Sequence, residues 1–98
     1  MDADIKIKWI EALRSGPYPQ EREALRTPDG YCCLGVLCDI VAPEGWGPDL
    51  EHGEDVDYPN KELLASCDLA MGDVEPLARM NDEGVSFAGI ADVIERSL

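Results

Sequence analysis

Four thiols and one imidazole have the widest chemical reach in this 98-residue chain: Cys32, Cys33, Cys38, Cys67 and His52. Three of the thiols fall in one short apolar run, YCCLGVLCD, at residues 31–39. Cysteine in such a run is either a metal ligand or a core residue, because the thiol binds zinc well and also buries readily. Structural zinc sites bring ligands in as closely spaced pairs, so that one tight turn presents two sulfurs to a tetrahedral ion. Here Cys32 and Cys33 are adjacent and point different ways from any regular element, and Cys38 and Cys67 are distant. The leucine, valine and isoleucine around the thiols predict core cysteine, with no metal and no cofactor. Catalysis by cysteine needs an electropositive neighbour or a base. His52, the one histidine, stands among Glu51, Glu54 and Asp55, which keep it protonated and make it a poor base.

The acidic run DLEHGEDVD suggests calcium, but an EF-hand loop requires glycine at its sixth position and glutamate at its twelfth. Counted from Asp49, those positions are Glu54 and Asn60. Paired carboxylates for hydrolytic chemistry can be picked at will among 21 acids, so none is singled out. There is no glycine-rich phosphate loop, and no enzymatic activity is expected.

Charge says more than any motif. Eight basic against 21 acidic side chains give a net charge of −13. Residues 31–98 hold three basic side chains (Lys61, Arg79, Arg96) against fifteen acids. Such a surface repels phosphate backbones and anionic membranes, which bind through Lys and Arg. Direct nucleic-acid binding and membrane docking are therefore excluded. An acidic domain attracts basic protein surfaces instead, including those that normally hold DNA or RNA.

The elements that must position these groups read as one domain over residues 1–98, of the α+β class and mostly helical, with three or four helices and a short hairpin. A first helix opens at Asp2 or Asp4, carries Ile5, Trp9, Ala12 and Leu13 on one face, and stops at Gly16-Pro17. Thr27-Pro28-Asp29-Gly30 is a turn, with glycine taking up a positive φ, that joins extended pieces at 23–26 and 31–33; a short helix over 21–26 is the alternative. From Cys33 to Ala42 the chain is apolar almost all round, which predicts a central buried helix ended by Pro43, with Gly35 admitting a close neighbour. Residues 43–60 form a long acidic surface loop without Lys or Arg, with Trp46, Leu50, Val56 and Tyr58 as anchors. Asn60 caps a helix burying Leu63, Leu64 and Cys67, and 74–80 fits either an edge strand or a first helical turn at Pro76. Asn81–Gly84 form a turn, and Ser86 caps a last helix with Phe87, Ile90, Ala91 and Ile94 inward. No secretory leader and no apolar stretch of membrane-spanning length is expected.

Three blocks, WIEALRSG at 9–16, ALRTPDGYCCLGVLCDI at 24–40 and MNDEGVSFAGIADVIE at 80–95, cover about two-fifths of the chain. In their order they resemble a family of uncharacterised small proteins encoded by bacteriophages and prophages, with the Cys-Cys-Leu-Gly-Val-Leu-Cys block the most specific part. Gly89 departs from the pattern, where an acidic residue would complete a capping box with Ser86. The resemblance implies origin rather than activity, and placement in the cytoplasm of a bacterial host. Small acidic phage proteins without enzymatic motifs resemble inhibitors that block a host defence or nucleic-acid-handling protein, the anti-CRISPR type among them. The expected contact set is Asp49, Glu51, Glu54, Asp55 and Asp57, with Trp46 and Tyr58 as aromatic anchors and Asp82 and Glu83 extending the patch, laid against a basic groove as a nucleic-acid mimic. Two alternatives come from other classes. One is a protein that sequesters a nucleotide signal through Arg14, Arg22 and Arg26 around the Thr27–Gly30 turn; the other is an assembly protein that forms a homodimer.

Overall fold

A computed structural model describes residues 1–46 and 58–98. Helix α1 spans Ala3–Ser15, strands β1 and β2 are Arg26–Thr27 and Gly30–Tyr31, and α2 spans Cys33–Val41. A 3-10 turn at Pro43–Gly45 follows, then α3 (Lys61–Ser66), α4 (Met71–Asp82) and α5 (Phe87–Ser97). The fold is thus α+β and mostly helical, with a two-stranded antiparallel hairpin and five α-helices among the described residues.

The helix count exceeds three or four because the stretch after Asn60 breaks in two. Asn60 caps α3, its Oδ1 accepting from the Leu63 amide at 2.8 Å. After Cys67 the chain enters the left-handed region at Asp68 (φ 58°). The Asp68 and Leu69 amides donate back to the Ala65 and Leu64 carbonyls, a Schellman closure with aspartate in the place glycine usually takes. Residues 74–80 belong to α4, and Pro76 sits inside that helix on its exposed side. Asn81 and Asp82 also lie in α4, so the expected turn begins later. Its C-terminus closes at Gly84 (φ 96°), with Val85 N donating to Met80 O at 2.9 Å and Gly84 N to Asn81 O at 3.2 Å. Ser86 then caps α5 by accepting from Gly89 N at 3.2 Å. A Cβ at Gly89 would stand 3.0 Å from Val85 Cγ1, so an acidic residue there would have to displace Val85.

The core runs through α2. Cys33, Leu34, Val36, Leu37 and Cys38 are fully buried, and α1, α4 and the hairpin pack around them. Trp9 of α1, itself fully buried, donates its Nε1–H to the Cys33 carbonyl at 2.9 Å. Helix α1 lies along α5, where Arg14 grips Asp92 at 2.7 Å and Glu95 at 3.2 Å. The hydrogen bond from Arg14 holds Glu95 below the usual carboxylate range. The hairpin is tighter than the sequence implied. Its extended pieces shrink to two residues each, residues 21–25 do not form a helix, and Gly30 does not take the left-handed conformation. Glycine is needed at position 30 for a different reason: a Cβ there would press on the Pro19 carbonyl oxygen. Pro19 O accepts from Tyr31 N at 2.8 Å and Tyr31 O from Glu21 N at 2.7 Å, which lays the 19–21 segment along β2.

All four cysteines are free and buried. Burial pushes the Cys38 thiol up to about 12, with nearby Cys32 and Cys67 adding to the shift, and raises Cys33 and Cys67 as well. These are thiols held as thiols, the state of packed core residues. Cys38→Ser should therefore cost about 1–3 kcal/mol, since it places a hydroxyl in a fully apolar site. Thermal melting measures the cost, and an unchanged midpoint would refute the packing role.

Candidate functional site

The residues expected to meet a partner separate into three groups. Asp49, Glu51, Glu54, Asp55 and Asp57 lie outside the described residues, as do His52, Leu50 and Val56. Trp46 and Tyr58 stand at the two edges of that segment, and Asp82 and Glu83 stand at the end of α4.

Trp46 is a half-buried anchor with several partners. Its Nε1–H donates to Asp39 Oδ1 at 3.0 Å, and the other oxygen of the same carboxylate accepts from Tyr18 OH at 2.6 Å. Partial burial, with Asp39 beside it, pushes the Tyr18 phenol up to about 12. Tyr31 stands edge-on between the two, its ring centroid 5.0 Å from that of Tyr18 and 6.0 Å from that of Trp46. Arg26 Cζ lies 4.3 Å over the Trp46 ring, a cation–π stack. The sequence marked Trp46 as an anchor but gave no sign of Asp39, the carboxylate that ties Tyr18 and Trp46 together across 21 and 7 residues of chain. Beside this cluster the hairpin encloses a cleft of about 440 Å³ between Pro19, Arg26, the Thr27–Gly30 turn and Tyr31.

Tyr58 sits apart from it, exposed, over a small recess of about 60 Å³ that it shares with Glu23, Ala24, Cys32, Ala78 and Asp82. Asp82 has a structural task as well as a charge. Its Oδ1 accepts from Glu23 N at 3.0 Å and holds Glu23 in the left-handed region at φ 72°. Such backbone costs about 1–3 kcal/mol for a residue with a side chain, and surroundings that over-determine it keep it in place.

Those surroundings are a polar network around Asn81, the one fully buried polar side chain among the described residues. Asn81 Oδ1 accepts from Cys33 N at 3.2 Å and from Gln20 Nε2 at 3.0 Å, while Nδ2 donates to Glu21 O at 2.7 Å. Gln20 also donates to Val85 O at 2.7 Å and accepts from Phe87 N at 3.1 Å. The network fixes residues 20–23 against the α4–α5 turn and opens a cleft of about 560 Å³ between Gln20, Glu21, Arg22, Glu23 and Gly84. Glu21 and Glu23 thus join Asp82 and Glu83 at one acidic corner. Nothing in the sequence pointed to them, because the bend that brings them there depends on a side chain 60 residues away.

The three arginines offered for an anionic ligand do not converge. Arg14 is engaged with Asp92 and Glu95 on α5, Arg22 lines the corner cleft, and Arg26 lies over Trp46. A joint phosphate site is therefore set aside. No group of three or more metal-ligating side chains forms among the described residues, and no helix there is long and apolar enough to cross a membrane.

Residues 1–67, from α1 through the hairpin and α2 to the end of α3, match the family described as Domain of unknown function (DUF8296). No curated protein and no solved structure matches the chain.

Proposed function

We propose, from the premise that the chain belongs to this family of unknown function, that it is a non-catalytic binding protein presenting an acidic surface to a basic partner. The partner in this reading is a host defence or nucleic-acid-handling protein whose basic groove is occupied as nucleic acid would occupy it. The inhibitor is phage- or prophage-encoded and acts in the bacterial cytoplasm, as the anti-CRISPR type does.

The observation that carries the reading is how the charge is arranged. Of the eight basic side chains, Lys6 donates to the Glu95 carbonyl, Arg14 is clamped on α5 and Arg26 is stacked on Trp46. At the corner Glu21, Glu23, Asp82 and Glu83 outnumber Arg22, the cation that lines the same cleft, and a second group forms where Asp2 N donates to Cys67 O at 2.9 Å and draws the start of α1 to Asp68. Nucleophilic chemistry has little support in the same fold, since burial holds the thiols protonated.

The test is capture from a host lysate with active defence systems, eluted in steps of rising salt. Attraction between exposed charges weakens as the Debye length falls from about 10 Å at 0.1 M salt to about 3 Å at 1 M. Release of one nucleic-acid-handling protein between those limits is the expected result. Reversing Asp49, Glu51, Glu54 and Asp55 to Lys should abolish the capture and leave the melting curve in place. Retained capture by that variant would remove these four acids from the contact.

A further inference from the structure

Residues 17–23, between α1 and the hairpin, are attached to the fold differently from the chain on either side. Before them Gly16 N donates to Ala12 O at 2.8 Å as α1 ends, and after them Leu25 is fully buried, its carbonyl accepting from Cys32 N at 3.2 Å. Between those fixed points no residue is buried, and Tyr18 is the one hydrophobic side chain packed, half-buried, against the core. Among the described residues no main-chain hydrogen bond joins two residues of the segment.

A row of polar contacts to other elements holds it instead. Tyr18 OH donates to Asp39 on α2 at 2.6 Å, and Pro19 and Glu21 pair with the main chain of Tyr31 on β2. Gln20 and Glu21 share Asn81 on α4, Gln20 also meets Val85 and Phe87, and Glu23 N donates to Asp82 at 3.0 Å. Each such bond is worth little net, because water takes the partner's place when it breaks. Lifting the segment uncovers little apolar surface, and it frees Glu23 from the left-handed conformation at φ 72°. Pro17 and Pro19 have fixed φ, so the segment moves as a stiff piece, and a hold lost at one end loosens the next.

We propose that residues 17–23 are a latch that opens as one unit while the helices stay folded, and that its closing assembles the acidic corner. Closed, it sets Glu21 and Glu23 beside Asp82 and forms the cleft against Gly84; open, Asp82 and Glu83 stay on α4 without them. This goes beyond the acidic-surface reading and does not rest on it, since the latch is tested without a partner.

The experiment is amide hydrogen exchange of the full chain, followed by NMR in water and in low concentrations of denaturant. The amides of Glu21, Glu23, Tyr31 and Phe87 report the latch, because each donates into one of its contacts; Val36, bonded to Cys32 O inside α2, reports the core. After correction for intrinsic rates, the latch amides should share one opening equilibrium, at least about tenfold more populated than that of Val36. Their exchange should hardly respond to denaturant, because the opening exposes little surface. Tyr18→Phe cuts the bond to Asp39 at one end and should speed exchange at Glu23, at the other end, by about fivefold or more. Ser15→Ala, which removes a bond inside α1 just outside the segment, should not. Latch amides that exchange only together with Val36, or a Glu23 amide indifferent to Tyr18→Phe, would overturn the latch.

Discussion

Gly35→Ala should lower the melting midpoint by about 10 °C or more. Gly35 is the third residue of α2, in the most deeply buried stretch of the chain, and a Cβ there would fall on the Leu25 carbonyl oxygen and close to its carbon. Both sides of that contact are backbone. The Leu25 carbonyl is held by the Cys32 amide at 3.2 Å, and the Leu25 side chain is itself fully buried. No rotamer change relieves the overlap, so either α2 or the 23–26 segment must move, and both are wedged in the core. Overpacking of this kind costs on the order of 3 kcal/mol or more. Alanine's advantage over glycine in a helix returns at most about 1 kcal/mol. For a domain of this size each kcal/mol is worth roughly 4–8 °C, so the midpoint should drop by about 10 °C or more. Gly72→Ala is the control, because nothing lies within 4 Å of the Cβ it adds to α4. That change should be neutral or stabilise by up to about 1 kcal/mol. Equal melting of both variants with the parent chain would refute the close approach.

Gly35 also shows how far the sequence could be read. A glycine inside an otherwise apolar helix announces a close neighbour, but its identity depends on the tertiary fold. The ends of α1, α3 and α5 were legible because Asp2, Asn60 and Ser86 act locally, each accepting from an amide three residues ahead. The break after α3 was not, because it rests on an aspartate in a conformation usually left to glycine. Helix α4 was obscured by Pro76, whose missing donor is tolerated on an exposed side. Long-range polar contacts explain the misplaced arginines. Arg14 finds Asp92 and Glu95 some 80 residues away, and no local pattern records that pairing. For the same reason the acidic corner was only half seen: Asp82 and Glu83 are adjacent in sequence, but Glu21 joins them through Asn81 and Glu23 through Asp82 itself, contacts about 60 residues apart in the chain.

Asn81→Leu tests that dependence and is the second substitution expected to have a large effect. Leucine fills a similar volume but leaves three groups without their partner: Cys33 N, one donor of Gln20, and Glu21 O. Each buried group stripped of its hydrogen bond costs about 1–3 kcal/mol, and Gln20, which keeps Val85 and Phe87, loses least. A total of roughly 3–5 kcal/mol follows. Asn81→Asp separates the donor from the acceptors. The introduced carboxyl can still accept from Cys33 N and Gln20, but when ionised it faces the Glu21 carbonyl with no proton to offer. Burial and that carbonyl both disfavour the charged form, so its folded-state pKa lies above the unfolded one. A group raised in this way gives its full stabilisation below the unfolded pKa and loses it as pH rises through the folded pKa. Relative to the parent chain at each pH, Asn81→Asp should therefore be mildest in acid and worsen towards neutrality, while Asn81→Leu should show the same deficit throughout. Thermal melts across that range decide it. A flat deficit for Asn81→Asp would mean that the Asn81–Glu21 bond does not hold the corner, which would leave the Asp82–Glu23 bond and the Gln20 contacts to Val85 and Phe87 to hold residues 20–23 in place.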